Sequence, residues 1–335
     1  MTRQLHIVIP GGSGQVGTIL ARHLHAQGHH VTVLARNKHT APWQVIVWDG
    51  TSLGDWAATL DGADVLINLS GRSVNRRYTT KNRAEIKESR TATTHLLGLA
   101  LSQSARPPRL WMNASTATIY RHAVDRPMDE TTGEIGGKER DIPRTWRFSI
   151  DVATGWEQSF FSANTPNTRR IALRSAMTMS PDRGGVFHQL LRLVRFGLGG
   201  TAGSGQQFVS WIHDTDFLRS IDYLIAHEEL DGPINLAAPN PLPNREFMKT
   251  LRQAAGLATG LPATRFMLEL GAWFLRTETE LILKSRRVIP GRLLQSGFHF
   301  QFPDWASAAR DLVGRYRGEV DFCDYRRDSP AGFET

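Results

Sequence analysis

The sequence predicts an α/β fold: a doubly wound parallel sheet with helices on both faces, followed by a smaller, mainly helical C-terminal region. Three observations predict it. Apolar runs of strand length alternate with amphipathic stretches through the first half of the chain. A glycine-rich turn stands between the first strand and the first helix. The 335-residue composition, 40% hydrophobic and 21% charged, is that of an ordinary globular protein.

Strands are expected at 5–9, 31–35, 44–48, 64–69, 109–114 and 169–174, with helices at 15–27, 53–60, 79–104 and 145–163. Alternation of this kind implies right-handed crossovers between parallel strands. The pattern changes after residue 178, with glycine turns at 183–185 and 197–205, a strand at 207–212, a helix at 214–228 and a strand at 233–237. Helices then dominate, at 244–256, 264–284, 290–295 and 304–317. The expected division is a nucleotide-binding domain of residues 1–178 plus about 207–240, and a substrate and C-terminal helical region of about 179–206 and 241–318. Residues 319–335 read as a loosely held tail.

The turn reads Ile9-Pro10-Gly11-Gly12-Ser13-Gly14-Gln15-Val16-Gly17. Its glycines let a backbone approach a pyrophosphate, and the following helix turns free N–H groups and its positive dipole end toward the anion. An ordinary tight turn is the bland alternative; the strand–turn–helix context favours a Rossmann dinucleotide site instead. Gly11, Gly12, Ser13, Gly14, Gln15, Val16 and Gly17 are therefore the first cofactor candidates.

The end of the second strand selects the dinucleotide. An NAD site carries a carboxylate about 20 residues past the glycines, on the ribose 2′-OH. Here the stretch is Leu34-Ala35-Arg36-Asn37-Lys38, with two cations, an amide and no carboxylate. Arg36 can grip a 2′-phosphate bidentately with Lys38 in support. NADP(H) is expected over NAD(H). The competing reading has Arg36 and Lys38 as solvated loop charges.

Charge and composition exclude several classes. Net charge is +8, spread rather than clustered, so it suits a solvated surface that attracts phosphorylated ligands. A nucleic-acid partner would need a basic stripe and a recognition motif, and neither is seen. No apolar run approaches the ~20 residues of a membrane helix. The single cysteine, Cys323, precludes an internal disulfide framework, and an N-terminus that enters the first strand directly leads one to expect no signal peptide. A cytoplasmic protein with a small-molecule substrate is expected; oligomeric state cannot be read. His213 with Asp214 and Asp216 invites a metal or acid–base role, but a strand end followed by an Asp N-cap fits better. His23, His25, His29 and His30 share no helix face at ligand spacing, so no metal is expected.

Taken in order, these residues resemble the extended short-chain dehydrogenase/reductase superfamily. More narrowly, they resemble its atypical branch of NAD-dependent epimerase or nucleoside-diphosphate-sugar epimerase type. The glycine turn, residues 63–71 ending Asn68-Leu69-Ser70-Gly71, and Glu85-Ile86-Lys87-Glu88-Ser89-Arg90 carry the likeness. So do Gly197-Leu198-Gly199-Gly200, Gly203 through Gln207, Trp211-Ile212-His213, Asn235 through Pro241, and Val288 through Phe298. The C-terminal piece resembles a small helical domain of unassigned role. The resemblance implies that Arg36 holds the 2′-phosphate and that Leu69, Ser70 and Gly71 line the cofactor. It puts Glu85 and Arg90 near the cofactor and Thr178 beside the nicotinamide. A surface ion pair is the bland reading of Glu85 and Arg90. Pro10 stands where the family often has threonine, which removes one backbone donor.

Active members of that superfamily use a Tyr-x-x-x-Lys pair with a nearby Ser or Thr. Residues 113–120 resemble the family segment that bears the hydroxyl, which makes Thr116, with Ser115 beside it, and Tyr120 the catalytic candidates, although a tyrosine at the place of Tyr120 is more often a structural aromatic in that family. The pair itself is missing: of the five tyrosines, 78, 120, 223, 316 and 325, none has a lysine four residues on. Anchoring on Trp156-Glu157 puts Ser149 at the tyrosine position and Ala153 at the lysine position. Tyr78-Thr79-Thr80-Lys81 has the wrong spacing and lies in the wrong place. Two readings follow: an NADP-dependent oxidoreductase or epimerase-like enzyme, or an NADP(H)-holding sensor or structural module of little turnover.

Overall fold

The computed structural model describes residues 3–74, 76–263 and 280–327. Strands β1 (His6–Pro10), β2 (His30–Ala35), β3 (Gln44–Val47), β4 (Val65–Asn68), β5 (Leu110–Thr116) and β6 (Arg169–Ser175) follow the expected positions closely. They are followed by β7 (Met177–Met179), β8 (Phe208–Val209), β9 (Trp211–His213), β10 (Gly232–Leu236) and β11 (Leu242–Pro243). Seven strands form one parallel sheet of order β10-β6-β5-β4-β1-β2-β3. This is the Rossmann order with one extra edge strand. The order reverses at β1, so the crevice between the C-terminal ends of β1 and β4 is where a dinucleotide sits in such sheets.

Both faces of the sheet are covered, which is why the strands read as continuous apolar runs rather than alternating ones. Ile7, Ile9, Val31, Val33, Val65 and Ile67 face helices α1 (Gln15–Ala26) and α5 (Asp214–Ala226). Val8, Leu34, Leu66 and Trp111 face the other way, under α2 (Thr80–Gln103) and α3 (Arg144–Phe161). Helix α2 starts at Thr79, whose hydroxyl accepts the Asn82 N–H at 3.2 Å. Helix α1 has no such side-chain cap; its N-cap is Gly14.

A second core lies beyond the sheet. Helix α4 (Val186–Arg195), missing from the sequence expectation, contributes Phe187, Leu191 and Val194 from one face. They pack with Trp211, with Phe247 and Leu251 of α6 (Asn244–Ala254), and with Trp305 and Leu312 of α9 (Trp305–Arg327). Trp305 stacks on Phe247 with centroids 4.1 Å apart and donates its indole N–H to the Phe247 carbonyl at 2.9 Å. Two short helices, α7 (Glu280–Leu283) and α8 (Gly291–Gln295), precede α9.

Several expectations are corrected. Residues 53–60 form a 3₁₀ turn, Asp55–Leu60, anchored by buried Trp56 and Leu60. The expected strand 207–212 splits into β8 and β9, which pair with β11 and β7 respectively, outside the large sheet. The intervening Ser210 hydroxyl bonds the 284–289 segment, donating to the Arg286 carbonyl at 2.6 Å and accepting the Val288 N–H at 2.8 Å. Of residues 207–240, only β10 returns to the large sheet. The N-cap of α5 is His213, whose Nδ1 accepts the Thr215 N–H at 3.1 Å, and Asp214 Oδ1 accepts the same N–H at 3.0 Å. Asp214 also pairs bidentately with Arg315, and Asp216 accepts the N–H groups of Gln301 and Phe302. Helix α9 runs to Arg327, past the expected start of the tail and through Gly314 and Gly318. Of the expected helix 264–284, residues 264–279 lie outside the described residues, as do tail residues 328–335.

The 284–289 segment stitches the C-terminal region to the sheet domain. The Arg286 N–H donates to Phe208 O at 2.9 Å, Met128 N–H to Arg287 O at 2.7 Å, and Ile289 N–H to Met128 O at 3.0 Å. No helix among the described residues is long and apolar enough to cross a membrane.

Candidate functional site

The glycine turn is built by contact, not only by propensity. Gly11 has φ +75°, and a Cβ there would lie 2.7 Å from Ser70 N and 2.8 Å from Leu69 C. At Gly17 a Cβ would fall 2.5 Å from Gly12 Cα. Any side chain at these positions would wedge the turn off the end of β4 or the helix off the turn. Gly14 is open, with only Gly11 O within 3.6 Å, so its small size leaves room above the helix N-terminus. Leu69 N–H donates to Pro10 O at 2.8 Å, and Ser70 N–H donates to Asn68 Oδ1 at 3.0 Å. The turn and the end of β4 are thereby locked side by side.

Two buried polar atoms on this crevice have no protein partner: Ser70 Oγ and Gln15 Nε2. Buried polar groups are almost always satisfied, so such orphans at a crevice call for a ligand or water. Together with the uncapped α1 N-terminus, they fit a bound dinucleotide pyrophosphate. Beyond the end of β2 opens a cleft of about 440 Å³ whose lining includes Ser13, Thr18, Arg36, Asn37 and His39. Lys38 stands exposed on the same turn. The cleft offers donors and one guanidinium, and its lining holds no carboxylate.

Glu85 and Arg90 do not form the surface pair that one reading allowed. Glu85 pairs with Arg72 at 2.8 Å and lies 3.7 Å from Arg76. Arg90 donates to the Ile86 carbonyl at 2.9 Å and the Arg72 carbonyl at 3.0 Å, and lies over the Trp156 ring. Burial lowers its pKa to about 10, so it stays charged at neutral pH while it pins the loop that follows Gly71. Thr178 is buried on β7, paired with Ile212.

The three catalytic candidates fall into different surroundings. The Ser115 hydroxyl donates to Glu157 Oε1 at 2.6 Å. Tyr120 is 2% exposed. Its hydroxyl donates to Asn235 Oδ1 at 3.0 Å and accepts from Arg174 at 2.9 Å. Burial pushes this phenol above its ordinary pKa. Arg174 and Glu157 close the network with two bonds of 2.8 and 2.7 Å. Ser115 and Tyr120 thus sit in a saturated buried network behind β5. Thr116 stays half-buried at the strand's C-terminal end, where its Oγ1 accepts the Thr118 N–H at 3.1 Å and its own hydrogen remains to be donated.

Ser149 and Ala153 lie on α3, and Ala153 is fully buried against Ala117 and Tyr120. Ser149 meets groups that sequence reasoning passed over. Tyr78 OH lies 3.2 Å from Ser149 Oγ, which donates to Glu280 of α7. Lys284 Nζ donates to the Thr118 carbonyl at 2.7 Å, and Arg286 Nε donates to Thr118 Oγ1 at 3.1 Å. Burial and neighbouring Arg286 lower the Lys284 pKa to about 7, and burial raises that of Glu280. Nothing local in the sequence announces this cluster: Tyr78 and Glu280 are separated by 202 residues. Elsewhere, His213 is sealed between Phe302, stacked at 3.9 Å, and Asp311 at 3.0 Å. Among the described residues, no three His, Cys, Asp or Glu side chains converge at metal-ligand distance.

Known proteins share this architecture. Residues 7–237 match the model of the NAD dependent epimerase/dehydratase family, and residues 263–312 match a domain of unknown function, DUF1731. The chain is 30% identical to the human epimerase family protein SDR39U1 over 92% of its own length and 100% of the relative's. It is 29% identical to the epimerase family protein YfhF of Bacillus subtilis over 92% and 98%. The solved structure of human SDR39U1 (isoform 2) with NADPH superposes with a TM-score of 0.81 at 29% identity, covering 92% of this chain and 99% of that one. A nucleoside-diphosphate sugar epimerase from Corynebacterium glutamicum gives 0.71 at 25% identity, covering 97% of this chain and 67% of that one. Fold, glycine turn and matched length agree: the chain is an NAD(P)-binding protein that belongs to the NAD-dependent epimerase/dehydratase family, in the branch carrying the DUF1731 C-terminal domain.

Proposed function

We propose that this chain is an NADP(H)-dependent oxidoreductase or epimerase-like enzyme acting on the carbonyl or alcohol of a small molecule in the cytoplasm. The observation that carries the cofactor choice is Arg36 in a cleft whose lining has no carboxylate, just past the glycine turn. A 2′-phosphate there meets a guanidinium fork and the neighbouring hydroxyl of Ser13, and a carboxylate that would repel it is missing. The NADPH in the human relative's structure supports the same choice. The lone cysteine supports a reducing compartment.

Residues Gly11 to Gly17 hold the pyrophosphate through backbone N–H groups and the α1 N-terminus. Ser70 and Gln15 supply the polar atoms that the protein leaves unmatched. Bound cofactor supplies the hydride. The chain's own work is to aim the substrate oxygen, and Thr116 does so with the hydrogen its hydroxyl has free. Ser115, Glu157, Arg174 and Tyr120 hold the end of β5 rigid behind it.

Calorimetric titration of cofactor-stripped protein tests this reading. NADPH should bind tightly and NADH weakly. Arg36→Asp should weaken NADPH on the order of 100-fold, since hydrogen bonds to a charged group are worth about 1.5–3 kcal/mol, and should leave NADH nearly unchanged. Equal loss for both would remove Arg36 from the 2′-phosphate. A second reading rests on Ser149 and Ala153 standing where the family's Tyr and Lys would be: the chain holds NADP(H) as a sensor or structural ligand. Tight NADPH binding without oxidation across carbonyl and nucleotide-sugar panels would favour it. Where turnover is seen, Thr116→Val should slow it.

A further inference from the structure

The position of the missing tyrosine is not empty of phenol. Ser149 holds that position on α3, and a hydroxyl on so short a side chain is far too weak an acid to relay a proton. Tyr78 reaches in from the loop before α2 and sets its hydroxyl 3.2 Å from Ser149 Oγ. Its ring is buried edge-on against Phe148 of α3, with centroids 4.8 Å apart, so the hydroxyl is held rather than waving. The missing lysine has a counterpart too. That lysine would supply positive charge beside the phenol; here Arg90 and Arg286 face Tyr78 electrostatically, and Lys284 lies beside Arg286. Glu280 is the acidic member, its Oε2 accepting from Ser149 and lying 3.5 Å from Tyr78 OH. Arg83 touches Tyr78 only through the backbone carbonyl.

Two of the cations also reach the segment that follows Thr116. Lys284 and Arg286 both bond Thr118, two residues from Thr116. Glu280, Lys284 and Arg286 all come from the C-terminal domain, and Glu280 and Lys284 are each 1% exposed. Burying a lysine and a glutamate is costly, and where the geometry is loose the cost is poorly recovered. Glu280 Oε1 is 3.7 Å from Arg286 Nη2, outside ordinary hydrogen-bond reach. Buried titratable groups with pKa values shifted by burial, clustered around a phenol, are the marks of a functional site.

We propose that the C-terminal domain completes the reaction centre, with the Tyr78 hydroxyl as the proton-transfer group and Ser149 and Glu280 as its positioning residues. This rests on the oxidoreductase reading above. The substrate class is a small carbonyl compound. With a bound reduced nicotinamide as the hydride donor to the carbonyl carbon, the Tyr78 O–H proton would pass to the carbonyl oxygen, which gives the alcohol and leaves a tyrosinate. The tyrosinate regains its proton from water, while Ser149 and Glu280 hold the phenol oxygen in place. In the opposite direction, each transfer reverses.

The test is spectrophotometric titration of phenol ionisation near 295 nm in the whole chain. The wild-type curve minus that of Tyr78→Phe isolates Tyr78. A proton-transfer phenol among cations should ionise at least about one pH unit below the ordinary tyrosine value of ~10, and lower still with saturating NADP⁺. Arg286→Met should move that midpoint up. A phenol that merely tethers Glu280 as a hydrogen-bond donor would be held protonated and titrate above ~10; that result would overturn the proposal. Tyr78→Phe keeps the ring and its packing. Should it nonetheless misfold, Glu280→Gln gives the same information, because removing the carboxyl should lower the lowest phenol midpoint, and an unchanged curve counts against the proposal. Calorimetry with NADPH runs alongside. Wild-type protein that fails to bind NADPH defeats the cofactor reading, while the phenol midpoint of the free protein still decides the role of Tyr78.

Discussion

Two buried clusters in this molecule use nearly the same residue types and reach opposite results. Behind β5, Glu157, Arg174 and Tyr120 form a closed set: a bidentate ion pair at 2.8 and 2.7 Å, with the phenol bonded to both Arg174 and Asn235. Across the end of α3, Glu280, Arg286 and Tyr78 lie farther apart: Arg286 Nη2 is 3.7 Å from Glu280 Oε1, and Tyr78 OH is 3.2 Å from Ser149 Oγ and 3.5 Å from Glu280 Oε2. Arg174 is held well above its usual pKa by Glu157 against the pull of burial, whereas burial lowers Arg286. A closed network fixes one structure. A cluster that gathers a phenol, a buried glutamate and a lysine of lowered pKa has the groups a reaction centre uses.

The comparison breaks or sharpens under substitution. The largest effect belongs to the closed set: Glu157→Gln strands the Arg174 charge and should destabilise the fold by about 3–5 kcal/mol in urea unfolding. Next comes Lys284. Its folded pKa, about 7, is depressed below that of an unfolded lysine, so between these values the unfolded chain binds more protons. Stability should therefore climb as pH rises from about 7, by on the order of 2 kcal/mol up to pH 9. Lys284→Met should remove most of that climb, and a parallel climb in the variant would refute the assignment. Tyr120→Phe leaves Arg174 and Asn235 each short of a partner and should cost about 1–2 kcal/mol, clearly more than Tyr78→Phe. Glu280→Gln relieves a buried carboxyl in loose geometry and should stay within about 1 kcal/mol of wild type. The smallest effect, under about 0.5 kcal/mol, should come from Glu228→Gln at the exposed Arg109–Glu228 pair, which sets the noise floor for the others.

What the sequence made legible follows from the range of the interactions. The turn at Gly11 to Gly17, the end of β2 at Arg36 and the six leading strands are written in adjacent residues, so local patterns suffice to read them. Helix α4 was missed although Phe187, Leu191 and Val194 keep helical spacing, because glycines on both sides gave the stretch the look of a loop. The break at Ser210 was hidden because its cause, the 284–289 segment, lies more than 70 residues away. Tyr78 was set aside for want of a lysine four residues on. That rule describes one face of one helix; the cations facing Tyr78 come from α2 and from the segment beyond α7. For Tyr120 a strand end leaves both a catalytic and a structural role open, since burial cannot be read there, and its 2% exposure agrees with the structural one.

The backbone stitch between residues 284–289 and 118–128 also sets a timetable. Contacts that close a loop of about 160 residues form late, since chain entropy must be overcome before they return anything. On a ribosome, the dinucleotide half emerges and can fold while the residues that supply Glu280 and Lys284 are still being made. The nascent protein therefore acquires its glycine-turn cradle before it acquires the C-terminal side chains that meet Ser149 and Thr118, and a chain that stalls before residue 280 lacks those contacts.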